Sequence, residues 1–281
     1  EGYEVTLVPV ALQDEGCPGR IDLQQLEEAI RPETTLVSVM LANNETGVLQ
    51  QLGQVGQICK QKGVLLHSDA TQAVGRVEVD VENLQVDLLS FSAHKFYGPK
   101  GVGGLYVRRA NPQVRLEPLF EGGGHEQGRR SGTLNAPGIV GLGVALEIAV
   151  AEMESEATRI RGLRGQLHKG IQDATERVQL NGPPLDESRL PGNLNMSFLD
   201  VDGEALMMSM KDLAVSSGSA CTSVDPEPSH VLRALGLSDD ETRASLRFGL
   251  GRFNTLEDVE FAIEQVSGAV ERLRRMRPEF P

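Results

Sequence analysis

The chain has 281 residues, 40% hydrophobic and 24% charged, and no uninterrupted run of the ~18 apolar residues that a membrane span requires. One large or two modest domains are expected, and disordered, collagenous and integral-membrane classes are excluded. Lys and Arg number 27 against 40 Asp and Glu, and the net charge of −13 argues against nucleic-acid and membrane partners.

Apolar, β-branched runs alternate with helical patterns through the first half, which predicts a parallel sheet covered by helices. Strands are expected at Glu4 to Val10, Thr35 to Leu41, Val64 to His67, Asp87 to Ser92 and Gly103 to Val107. A short helix is expected at Leu23 to Ile30, ending before Pro32, and an amphipathic crossover helix at Leu52 to Lys62. TLVSVML and VDLLSF are nearly continuous in apolar residues, as strands buried on both faces are. From Pro137 to Arg177 one long helical stretch carries Leu142, Ala145, Leu146, Ala149 and Val150 as an apolar stripe, with Gly162, Gly165 and Gly170 as candidate breaks. Past the prolines 183, 184 and 191, strands at Asn193 to Phe198 and Leu246 to Leu250 alternate with helices at Glu204 to Met210 and Thr255 to Arg274. The expected fold class is α/β, with a large, mostly parallel sheet domain over 1–150 and a smaller α+β domain over 151–281.

Three cysteines, Cys17, Cys59 and Cys221, lie far apart and form neither a disulfide framework nor a CxxC metal motif, which fits a reducing compartment such as the cytoplasm. The opening EGYEVTLVPV has no charged start leading into an apolar signal region.

In open α/β sheets, ligands bind beyond the carboxyl ends of the strands, so the polar residues that close the apolar runs are examined first. They are Asn43 to Gly47, then His67, Ser68 and Asp69, then Ser92, Ala93, His94 and Lys95. Each has an ordinary reading, since a strand-end Asp or Asn often caps the next helix and a lone Lys is usually a solvated charge. Together they suggest more. A lysine at the mouth of an apolar crevice loses solvation and becomes available for Schiff-base chemistry, which makes Lys95 a candidate nucleophile. A carboxylate on a neighbouring strand end, Asp69, is what a pyridinium nitrogen needs, and Gln72 reaches the same place from the next turn.

His67, Asp69, His94 and His125 lack helical metal-ligand spacing and would leave Lys95 without a role, so no metal is expected. Cys221 sits in a run of small residues, Ser216 to Ser223, which is exposed and mobile by composition and suits a reactive thiol. Cys59 falls on the apolar side of a helix and Cys17 in a Gly/Pro turn. The Gly-rich stretch Gly122 to Thr133 reads by composition as a surface loop. His168 and His230 read as ordinary surface residues.

The motifs HSDATQAVG, DLLSFSAHKFYGPKGVGGLYVRR, GGGHEQGRRSGT, SSGSACTS and SLRFGLGRF, in this order and at this spacing, resemble those of the group I cysteine desulfurases. These are pyridoxal-phosphate enzymes of the class V aminotransferase family, with the fold type I, aspartate aminotransferase-like architecture. The resemblance covers essentially the whole chain. It implies that Lys95 bonds the cofactor aldehyde, that Asp69 partners the pyridine nitrogen and that Gln72 donates to the ring hydroxyl. It further implies that Asn44 lies near that hydroxyl and the substrate, and that Ser92 and His94 hold the phosphate. Thr133 would reach the phosphate in the neighbouring subunit's site of a homodimer. Arg247, with Arg252 as a substitute, would hold the substrate carboxylate through a bidentate guanidinium.

Cys221 would take sulfur from L-cysteine as a persulfide, releasing L-alanine, and pass it to an acceptor such as an iron–sulfur scaffold protein or a tRNA-thiolation relay. The family's chain begins earlier, and its Gly-Ala-Thr-Glu-like phosphate loop and ring-stacking histidine have no match here. The chain is therefore expected to be about the C-terminal two-thirds of such an enzyme, with apolar strand faces and an unpaired edge that need a partner: either a separate N-terminal polypeptide supplies the rest, or the chain is a fragment left by a proteolytic cut or a split gene. Rival expectations are a non-catalytic fragment or scaffold protein of the family, or a selenocysteine lyase.

Overall fold

The structure is a computed structural model and describes residues 2–217 and 227–276. The contacts group the chain into two units, one of Ile30–Ala42 with Gln51–Met153, the other of Glu1–Ala29, Asn43–Gln50 and Glu154–Pro281. The expected division into 1–150 and 151–281 follows chain order; the contacts place Asn43–Gln50 with the C-terminal residues.

After the short helix α1 (Leu23–Ala29), the first sheet forms from β1 (Leu36–Ser38), β2 (Leu65–Asp69), β3 (Leu88–Ser92) and β4 (Gly103–Val107), in that spatial order. The pairs β1–β2 and β2–β3 are parallel, while β4 returns antiparallel to β3. The sheet is thus mostly parallel, as expected, and the link from Ser92 to Gly103 is too short for the crossover that a parallel partner requires. Alternation along the strands sorts the faces. Val37, Leu66 and Leu89 are buried on one face, and Ser38, His67 and Ser90 share the other. Helix α2 (Leu52–Lys62), with Leu52, Val55 and Cys59 buried, packs on β2 and stops at Gly63, whose left-handed conformation closes the last turn.

In the other unit, the helix α3 (Ala136–Ala174), which begins in the first unit, leads to β5 (Val178–Leu180) and β6 (Asn193–Phe198). Then come α4 (Gly203–Met208), β7 (Ser216–Ser217), α5 (His230–Ala234), α6 (Asp239–Arg243), β8 (Ser245–Gly249) and α7 (Leu256–Met276). The strands make an antiparallel sheet in the order β5-β6-β8-β7. Every residue of β6 is buried. Leu194, Met196 and Phe198 meet Leu167 and Ile171 of α3 and Val266 and Val270 of α7 in one core. Each such side chain contributes about 1.5–3 kcal/mol by leaving water.

Two expectations are corrected. Glu4 to Val10 joins no ladder; only Val10 bridges to Ile21, and Val5 and Leu7 are exposed. Gly162, Gly165 and Gly170 do not break α3, which runs 39 residues. A Cβ at Gly170 would meet the Ile263 side chain at 2.2 Å, so this glycine lets α3 and α7 approach closely. Helix α3 is, by length and composition, long and apolar enough to cross a membrane, with Ile139, Val140, Val144 and Ile148 exposed, but one such helix does not by itself make a membrane span. The exclusion drawn from the sequence rested on uninterrupted apolar residues, and Glu147 interrupts this stretch.

Candidate active site

In the first unit, the parallel register sets Asp69, the last residue of β2, opposite Ser90 of β3. Its Oδ1 accepts the Thr71 N–H at 2.8 Å, which fixes the turn that carries Gln72. Strand β3 ends at Ser92 and passes directly into a 3-10 turn, Ala93–Phe96, that carries His94 and Lys95. Ala93 and Phe96 anchor that turn by burial, leaving Lys95 half-buried and His94 exposed. Ser92 Oγ and His94 Nδ1 are hydrogen-bonded at 2.8 Å.

Arg76 joins the two strand ends. Its Nη2 donates to the Lys95 carbonyl at 3.0 Å and its Nη1 to Gln72 Oε1 at 3.4 Å. His67 lies between Ser38 Oγ at 2.8 Å and Ser90 Oγ at 3.2 Å. Thr133 is exposed, in the segment ahead of α3. An amine, a carboxylate, a carboxamide and a hydroxyl–imidazole pair on adjoining strand ends make up the donor set that suits a flat heterocycle bearing an aldehyde, a ring nitrogen and a phosphate.

In the other unit, Arg247 stands on β8 opposite Asn195 of β6 and Ser216 of β7. Its Nη1 donates to the Asn44 carbonyl at 2.9 Å and its Nη2 to Ser216 Oγ at 3.2 Å. Asn44 belongs to a tight turn in which Asn43 Oδ1 accepts the N–H groups of Glu45 and Thr46, both at 2.9 Å. The turn closes at Gly47, φ +74°, where a Cβ would lie 2.6 Å from the Asn193 side chain. Arg252 turns instead to Glu156, 3.5 Å away. So Asp69, Gln72, Ser92, His94 and Lys95 are gathered in one unit, and Asn44 and Arg247 in the other.

Cys221 lies outside the described residues. Of its run, Ser216 and Ser217 are half-buried in β7 rather than in an open loop. Cys59 is 1% exposed, and burial pushes its thiol up to about 11, with Asp87 adding to the shift. His230 is exposed, whereas His168 is half-buried and its pKa is lowered by burial and by Arg189 and Arg164. Among the described residues, no group of three or more His, Cys, Asp and Glu side chains is placed to hold a metal ion.

Sequence reasoning gave no role to Arg76, Glu45 or Ser229. Arg76 follows Gln72 at helical spacing, the one signal that could have tied it to the site. Glu45, an acid between Asn44 and Thr46, carried none that separates it from a surface residue.

The chain matches the aminotransferase class-V family over residues 1–261 and belongs to it. It is 54% identical over 280 residues to the cysteine desulfurase IscS of Anaeromyxobacter dehalogenans (strain 2CP-C), which covers all of this chain and 67% of that relative. Among solved structures it is similar to a NifS-like protein, with a TM-score of 0.85 and 36% identity over 97% of this chain and 69% of that one. It is also similar to SspA in complex with cysteine, with a TM-score of 0.72 and 36% identity over 90% of this chain and 68% of that one.

Proposed function

We propose that this chain is a pyridoxal-phosphate-dependent cysteine desulfurase that converts L-cysteine to L-alanine and retains the sulfur as a persulfide on Cys221. The observation that carries the reading is the placement of Lys95 and Asp69 after neighbouring parallel strands, in a chain 54% identical over 280 residues to a cysteine desulfurase. Lys95 would hold the cofactor through Nζ, Asp69 its ring nitrogen, Gln72 and Asn44 its hydroxyl, and Ser92, His94 and the neighbouring subunit's Thr133 its phosphate. When bound, the cofactor supplies an electron sink for the pair left at the substrate Cα.

Arg247 binds the substrate carboxylate, and Lys95 Nζ takes the proton from Cα. The Cys221 thiolate attacks the substrate sulfur: a sulfur–sulfur bond forms as the Cβ–sulfur bond breaks, the electron pair on Cβ takes a proton, and return of a proton from Lys95 Nζ to Cα completes alanine. No external oxidant or reductant is consumed. The persulfide then passes to an acceptor such as an iron–sulfur scaffold protein or a tRNA-thiolation relay, in the cytoplasm and from a homodimer.

The purified protein supplied with pyridoxal phosphate and L-cysteine should yield alanine and, with a thiol present, sulfide. Lys95→Ala should abolish both, and Cys221→Ser should abolish sulfide. Sulfide release by Cys221→Ser at the parent rate, or no alanine from the parent protein, contradicts the proposal.

A further inference from the structure

Glu45 is a buried carboxylate that the proposed chemistry does not use. It is 7% exposed, and burial raises its pKa while the Ser229 hydroxyl, His230 and Arg247 pull it back down. Its N–H, its carbonyl and one carboxylate oxygen are each held. Its N–H donates to Asn43 Oδ1 at 2.9 Å, and its carbonyl accepts from Asn193 Nδ2 at 2.9 Å and Asn195 Nδ2 at 3.2 Å. Its Oε2 accepts from Ser229 Oγ at 2.5 Å, and Ser229 is itself the N-cap of α5. Elements β6, β8 and α5 thus all present polar groups to it.

The peptide plane between Asn44 and Glu45 contains both the Glu45 N–H and the Asn44 carbonyl that receives Arg247 Nη1. Rotation of that plane about its Cα–Cα axis would break the Glu45 N–H bond to Asn43 Oδ1, and the Glu45 Cα is one end of that axis. The side-chain tether to Ser229 and the two asparagine amides on the Glu45 carbonyl hold that Cα, and so that end of the axis, in place.

We infer that Glu45 is a positioning residue for Arg247: held by Ser229, Asn193 and Asn195, it fixes the Asn44 carbonyl that aims the guanidinium at a substrate carboxylate. The inference rests on the reading of Arg247 as the carboxylate-binding group. It assigns a task to a residue pair, Glu45 and Ser229, far apart in sequence.

Phenylglyoxal labelling of arginines in the full chain, resolved by peptide mass spectrometry, tests it without requiring turnover. Arg164 and Arg189, 2% and 0% exposed, report whether the unit stays folded. Glu45→Ala should raise the labelling rate of Arg247 about fivefold, and Glu45→Gln, which keeps an oxygen for Ser229, should stay within about twofold of the parent, with Arg164 and Arg189 unlabelled throughout. An unchanged Arg247 rate in Glu45→Ala overturns the inference. So does loss of protection at Arg164 and Arg189, or equal effects of the two substitutions. In sulfide assays, Glu45→Ala should raise KM for cysteine about fivefold with kcat within about twofold, and Glu45→Gln should restore KM. A parent protein that releases no sulfide would count against the proposed function and leave the labelling result to decide the role of Glu45.

Discussion

Asp69 and Ser90 stand opposite each other in the parallel pairing of β2 with β3, and β3 continues from Ser90 through Ser92 into the turn that presents Lys95. A rigid strand pair thus sets both the acid and the approach to the amine. That is the arrangement preferred for a reactive group whose geometry must not drift.

Arg76 ties these two strand ends together through the Lys95 carbonyl and Gln72 Oε1. Arg76→Ala should lower the affinity for pyridoxal phosphate about tenfold, the loss of about 1.4 kcal/mol that two weakened contacts imply. Absorbance titration with the cofactor measures this, and unchanged affinity would show that the turn is held without Arg76.

Arg189 is fully buried and donates to the carbonyls of Pro183 and Asn181 and to Asn193 Oδ1. Arg189→Ala removes the donor from three buried acceptors and should destabilise the protein by about 3–5 kcal/mol. Urea unfolding checks this; a loss below about 1 kcal/mol would mean that the acceptors find other donors. Because Asn193 also holds the Glu45 carbonyl, the same substitution should loosen the turn that bears Asn44.

The Cys59 thiol, pushed up to about 11 from an ordinary 9, gives a pH signature. The folded state keeps its proton where the unfolded state loses it, so the contribution is full below about pH 9 and falls as pH rises toward 11. The loss amounts to roughly 2–3 kcal/mol at most. Unfolding midpoints between pH 8 and pH 11 should fall less steeply for Cys59→Ala than for the parent. Parallel curves would contradict the shift. Cys59 should also resist iodoacetamide in the folded protein at about pH 8.

The sequence exposed the strand ends because apolar runs are closed by the polar residues Asp69 and Ser92, but the expected burial on both faces is corrected: β1 and β2 alternate, with buried residues on one face only. Helix α2 was legible to the residue from its periodicity. Orientation was less so: nothing within Gly103 to Val107 says which way the strand runs, and only the short connection from Ser92 could have revealed β4 as antiparallel. Gly170 misled because a helix glycine costs stability alone, and the compensating approach of α7 is a tertiary fact. The tie between Asn44 and Arg247 joins residues whose separation of 203 no local pattern spans. Glu4 to Val10 shows the reverse: a strand-like sequence stays out of a sheet when no neighbouring strand pairs with it.

The most direct test of the account is to reduce the protein with borohydride in the presence of pyridoxal phosphate and map the modified peptide. The account predicts a phosphopyridoxyl label on Lys95, sharply diminished in Asp69→Ala. A label on Lys100 or another lysine in place of Lys95, or no label at all, would contradict it.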